Sequence, residues 1–237
     1  MGARLKKLGV VVAILGLLFV LGGGIAAFKV KQGADALNAY ATAENVTLTY
    51  DKDGNYTSHG DAKMGAAILD MLENDWKYPV NKAELDPKDP LVNTGSEYML
   101  QMATVSYHVL YGKTDVVLPA DSKDVTYDGK TYHAGDTVHF VNDGKYWANF
   151  DTTDPVQAAA RGQLWSATAH GLVGELGVGA VTASTLQLGY GVAAVTAGLG
   201  ATLILAGVGL AWAAAGTAAP AAPAAAKAEP KAKDKKS

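Results

Sequence analysis

Two runs without a single charge, Leu8–Phe28 (LGVVVAILGLLFVLGGGIAAF) and Gly189–Gly216 (GYGVAAVTAGLGATLILAGVGLAWAAAG), restrict what the rest of the chain can do. As a helix rising ~1.5 Å per residue, the first run reaches ~32 Å, the thickness of a bilayer core. A basic start followed by an apolar run and GIAA would also fit a cleaved signal peptide. The run is long for that purpose, so the expectation is an uncleaved anchor. The second run carries Trp212 near its end, where an amphipathic ring suits a membrane interface. The preceding stretch, GLVGELGVGAVTASTLQL, is apolar but contains Glu175, a costly residue in lipid. It reads as a helix leading into the span, lying on the membrane or on the central domain; a third span is the alternative.

Charge sets an orientation for these spans. The formal net charge of −3 hides basic tips around an acidic centre. Arg4, Lys6 and Lys7 precede the first run, and Lys227, Lys231, Lys233, Lys235 and Lys236 follow the second. Residues 29–216 hold twelve basic against twenty-one acidic side chains. Positive charge stays on the cytoplasmic side. Both termini are therefore expected inside a plasma membrane, with the central region outside. An acidic centre speaks against nucleic acid as a partner. The chain has no cysteine, which excludes disulfides, zinc–thiolate sites and thiol catalysis.

The spans also carry a stripe of small residues. Gly9, Gly16 and Gly23 recur every seven positions; Gly191 and Gly198 share that spacing, as do Gly200 and Gly207. Glycine lets helix backbones approach where lipid supplies no hydrophobic drive. These residues are the candidate packing surface of the spans, against each other or against other membrane-protein subunits.

Between the spans the pattern is mixed. Residues 29–44 extend the first helix. NVTLTY alternates as a strand, and Asp53-Gly54 signals a type I′ hairpin. Asp61 suits the N-cap of a helix through about Asn74, with Met64, Ile68, Met71 and Leu72 as its apolar stripe. Pro79, Pro87 and Pro90 punctuate a connector. Ser96 is the expected N-cap of EYMLQMATVSYHVLYG, whose inner face is Met99, Met102, Ala103, Ser106 and Leu110. From Asp115 to Phe150 the pattern is β, with Asp128-Gly129 and Asp143-Gly144 read as further hairpin turns of a small meander. Asp154 and Pro155 open the next helix. The expected organisation is a cytoplasmic N-terminus (1–7), a span (8–28), an extracytoplasmic α+β domain (29–154), a helical return segment (155–188), a second span (189–216) and a cytoplasmic Ala/Pro/Lys tail (217–237). The tail is low in complexity and has nothing with which to build a core.

Little in the sequence reads as chemistry. Asp51, Asp53 and Asn55 alternate as in a calcium loop, but that frame needs Gly at its sixth position and Glu at its twelfth, and finds Tyr56 and Ala62. Starting at Thr49 puts Gly54 sixth and ends on Gly60, which also fails. The histidines His59, His108, His133, His139 and His170 fall in no HExxH, and nucleophile-elbow and phosphate-loop patterns are absent. No catalytic residue, metal or cofactor is expected.

YHAGDTVHFVNDGKYWANF resembles small chitin-binding modules at Tyr132, Gly135, Asp136, Val138, Gly144 and Tyr146. That resemblance implies Tyr132, Tyr146 and Trp147 as sugar-stacking rings and a cell-wall polysaccharide as partner. Over the whole chain, AENVTLTYDKDG, WKYPVN, DPLVNTGSEYMLQMAT and ATAHGLVGELGVGAVTASTLQLG resemble a group of actinobacterial two-span membrane proteins with an extracytoplasmic domain. Some of their broader relatives are described as subunits of an aromatic ring-opening dioxygenase. Such chemistry needs a metal-ligand cluster, which this sequence does not offer. The expectation is a non-enzymatic envelope protein, structural or an accessory subunit of a larger membrane complex. The alternatives are a wall-sugar binder and an enzyme whose site escapes motif reading.

Overall fold

The computed structural model describes residues 2–216, so the tail expected at 217–237 lies outside the described residues. The fold is mostly helical, with three two-stranded antiparallel sheets and two long apolar helices. Helix α1 (Gly2–Glu44) and helix α5 (Ala167–Gly216) are each unbroken over 43 and 50 residues. Each is long and apolar enough to cross a membrane. The continuity of α5 makes the Glu175 stretch the first half of the same helix as the second apolar run. The chain forms two compact units. One is the paired stretch of α1 up to Ala26 and of α5 from Val192; the other is Ala27–Gly191.

In the first unit, α1 and α5 run antiparallel on backbone contact. A Cβ built on Gly9 would stand 2.5 Å from the Gly207 carbonyl oxygen. One on Gly16 would stand 2.6 Å from the Gly200 oxygen, and one on Gly23 2.9 Å from the Ala193 oxygen. The contacts advance by seven residues on both helices, the period of a left-handed pair. Away from this seam large apolar side chains are bare: Val11 is 62% exposed, Val195 72% and Trp212 81%.

The second unit has its own core of Ile68, Leu72, Leu100, Ala103, Leu110, Val116, Leu118, Val138, Phe140 and Val156. β1 (Thr49–Tyr50) and β2 (Tyr56–Thr57) make a short ribbon ahead of α2 (Ala62–Asp70), which Asp61 caps through the Lys63 and Met64 amides. The expected helix to Asn74 instead ends in a π turn, Met71–Asp75, where the Trp76 amide donates back to the Met71 carbonyl. α3 (Gly95–Leu110) starts two residues earlier than expected. Its N-cap is Thr94, in a reciprocal capping box with Glu97. Ser96 lies inside the helix, buried, and its hydroxyl accepts from the Asn81 amide. On the face expected to point inward, Ala103, Ser106 and Leu110 are buried, while Met99 and Met102 are half-buried.

The expected meander is a nest instead. β3 (Lys113–Val117) pairs with β6 (Thr137–Val141), and β4 (Val125–Tyr127) with β5 (Lys130–Tyr132) between them. Of the three Asp-Gly pairs, Asp128-Gly129 makes the expected two-residue turn, both residues at positive φ (48° and 70°). At Asp53-Gly54 only Gly54 is at positive φ, and the loop runs from Asp51 to Asn55, closed by the Asp51 amide on the Asn55 carbonyl. Asp143-Gly144 reverses no strand. The buried Asn142 side chain bonds the Val109 and Lys145 carbonyls, and the Gly144 amide bonds the Leu110 carbonyl, so the chain is tied to the end of α3. α4 (Pro155–Leu164) is capped by Asp154, with Pro155 in its first turn. It stops at Trp165, so the return segment is two helices, with Ser166 accepting from the Ala169 amide at the start of α5.

Candidate functional site

An apolar groove of about 410 Å³ lies in the second unit, among the outer half of α1, α3 and the first half of α5. Its apolar walls include Leu37, Val105, Leu176 and Val178. The polar groups on it are Tyr40, Glu44, Tyr98, Gln101, Glu175 and Thr182. Glycine shapes one wall: a Cβ on Gly179 would meet the Tyr98 ring at 2.6 Å, so the ring lies directly on the α5 backbone. Tyr98 is only 6% exposed, and its hydroxyl is buried without a hydrogen-bond partner. An unmade bond of that kind costs roughly 1–3 kcal/mol. Burial, then the Glu175, Glu97 and Glu44 carboxylates, push the Tyr98 phenol up.

Tyr40 donates its hydroxyl to Glu175, joining α1 to α5 across the groove. That bond, ahead of burial, raises the Tyr40 phenol to about 12. Glu175 therefore has a use in the structure as an acceptor on a domain helix. No lysine, arginine or histidine lines the groove, and no ion pair forms at Glu44 or Glu175 among the described residues. None of this was visible in the sequence except the oddity of Glu175 itself.

The glycine seam can be compared with the seven glycines expected to pack helices. Gly9, Gly16, Gly23, Gly200 and Gly207 meet backbone atoms of the opposite helix. Gly191 and Gly198 do not: a Cβ on either would enter open space. Their seven-residue spacing is genuine, but it lies on another face of α5. Gly33 and Gly189, not singled out from the sequence, approach Leu186 and Val30 in the second unit.

The rings expected to stack on sugar make contacts of their own. Tyr146 stacks on Trp165 at 6.1 Å and accepts from the Trp76 indole N–H. Arg161 sits over the Trp147 ring at 4.2 Å, and His170 meets it edge-on. Lys130 lies over Tyr132 at 4.6 Å. Trp147 and Tyr146 are about two-fifths exposed (41% and 40%). Tyr132 is half-buried on β5, whereas Tyr146 and Trp147 lie beyond the last strand, at the start of a short 3₁₀ turn, Trp147–Asn149.

Two imidazoles do come together where sequence spacing would not suggest it. His59 and His108 lie 5.0 Å apart by ring centroids, and the Ser58 hydroxyl is 3.2 Å from His108 Nε2. They line a 380 Å³ hollow with Thr49, Gln101 and Thr104. His59 is held at φ 51° by a tight His59-Gly60 turn between Ser58 and Asp61. Burial, then His59, lower the His108 imidazole. No carboxylate pairs with either ring among the described residues, so a Ser–His pair exists without the third group that would orient it. The other histidines are separate: His133 pairs with Asp124 and His139 with Asp115. Among the described residues no three His, Asp or Glu side chains gather as a metal would need. The Asp51 carboxylate, first of the alternating oxygens, accepts from the Asp53 and Asn55 amides and so closes its own loop.

Comparison of the chain with known protein families, with curated proteins and with solved structures finds no match.

Proposed function

We propose that this chain is a two-span plasma-membrane protein whose central domain faces outward and which serves as a non-enzymatic accessory subunit of a larger membrane assembly. The observation that carries the reading is the apolar surface of α1 and α5. Side chains such as Leu8, Ile14, Leu18, Leu199 and Leu205 stand exposed along two paired helices with no protein layer over them among the described residues. A contiguous apolar surface of that extent is not stable in water, and lipid is the solvent that satisfies it. Lys6 and Lys7 before the first run put that end on the cytoplasmic side, and an even number of crossings returns the chain there.

The accessory role follows from the uncovered glycines. The α1–α5 seam uses Gly200 and Gly207, while Gly191 and Gly198 leave a second close-approach face on α5 for another helix. The test is affinity purification of the tagged chain from its native membranes in mild detergent. Companion subunits are expected to co-purify, and Gly198→Leu is expected to remove them without unfolding the chain. A lone protomer in both preparations would overturn the accessory role. Quantitative release of the chain by alkaline carbonate would overturn the membrane placement separately.

A further inference from the structure

We propose that the groove among α1, α3 and α5 binds an amphiphile with an extended apolar chain and a cationic head, a long-chain amine being the simplest member of the class. Its volume, about 410 Å³, is that of a small-molecule site. Leu37, Val105, Leu176 and Val178 supply a wall that water does not solvate well and an alkyl chain does.

The head is specified by charge and by hydrogen bonding. The charged groups on the groove among the described residues are Glu44 and Glu175, both carboxylates, and neither pairs with a cation among those residues. A phosphate or carboxylate head would meet repulsion there, and an uncharged chain would leave the carboxylates unanswered. The Tyr98 hydroxyl, on a side chain of the same wall, is buried and has no hydrogen-bond partner among the described residues. An ammonium has three N–H donors and no acceptor, which matches a surface rich in acceptor oxygens. Tyr40 already donates to Glu175, leaving that carboxylate capacity for a second donor. The site is confined to one compact unit and does not depend on whether the long helices cross a membrane.

The experiment uses the purified full chain in lipid nanodiscs and three photoreactive probes of equal chain length: a diazirine dodecylamine, the matching dodecanoic acid and the matching dodecanol. Crosslinks are mapped by mass spectrometry and normalised to those within 8–28 and 189–216, which report partition into lipid. The amine is expected to label segments 37–46, 98–105 and 172–182 about tenfold more than the acid, the selectivity of one charge-assisted contact. The double variant Glu44→Gln/Glu175→Gln is expected to bring amine and acid within about twofold of each other. Gln101→Trp, which fills the groove and leaves both carboxylates in place, is expected to reduce all labelling there. Equal labelling by amine and acid in the parent chain would overturn the cationic head. Labelling confined to the two apolar runs, or undiminished by Gln101→Trp, would overturn the site. Amine labelling that occurs on the purified chain but not in its native membranes would assign the groove to a protein segment, and so overturn the proposal.

Discussion

A Cβ on Gly65 would stand 2.3 Å from the Tyr56 carbonyl oxygen and 2.9 Å from the Thr57 Cα. Both are backbone atoms of the β1–β2 ribbon, which cannot move aside as a side-chain tip can. Gly65→Ala is expected to destabilise the domain by about 1–3 kcal/mol, the cost of overpacking, read as a fall in the denaturation midpoint. Gly171→Ala, also helical but facing open space, is expected to leave stability unchanged or raise it by up to ~1 kcal/mol through helix propensity. His108 offers a residue-scale test of another kind. Burial and the neighbouring His59 hold its imidazole below the ordinary 6.5. The unfolded chain then takes up that proton more readily. The contribution to stability is present above pH 6.5 and is lost as pH falls through that value toward the folded one. Its imidazole resonance should titrate below 6.5, and His59→Gln should move the midpoint up only in part, because burial is the larger cause. A midpoint at or above the ordinary value would contradict the packing described for the Ser58 hollow.

Among the elements, helix starts were legible where a local rule was complete. Asp154 followed by Pro155, and Asp61 before an apolar stripe, are self-contained signals, and both cap as expected. At α3 two hydroxyls compete within three residues. Thr94 wins because Glu97 stands three positions on and closes the reciprocal box, whereas Met99 stands at that place from Ser96. The distinction was in the sequence. Thr94→Ala is expected to cost about 1 kcal/mol by urea denaturation. The Asp-Gly turns separate on a tertiary ground. Asp128-Gly129 has no other claim on its backbone and forms the two-residue turn; Asp143-Gly144 is claimed by the end of α3 through Asn142. Helix pairing also divides by face. Gly207→Leu should lower the melting temperature of the chain in micelles by several degrees, at ~2–4 °C per kcal/mol for a chain of this size. Gly198→Leu should not, since Gly207 meets the α1 backbone and Gly198 faces open space.

For the molecule as a whole, the proposed topology has a direct readout because the chain has no cysteine of its own. In intact cells a membrane-impermeant maleimide is expected to label Lys130→Cys, exposed at the start of β5, and to miss Lys6→Cys until the membrane is opened. The reverse pattern would invert the orientation, and labelling of both without permeabilisation would remove the spans. What the sequence determined by itself is whatever depends on local chemistry repeated along the chain. That covers the two long apolar helices, the seven-residue glycine period, the acidic centre with basic tips, and most caps. Periodicity cannot say which side of a helix will be covered, so Gly191 and Gly198 carried the same signal as Gly200 and Gly207. Only the tertiary structure separated them, because the seam is set by the register between two helices more than 150 residues apart in sequence. The same holds for the groove. Glu175 stands out in an apolar stretch, but Tyr40 and Tyr98 are unremarkable in the chain, and the three become a polar cluster on an apolar wall only once three helices pack together.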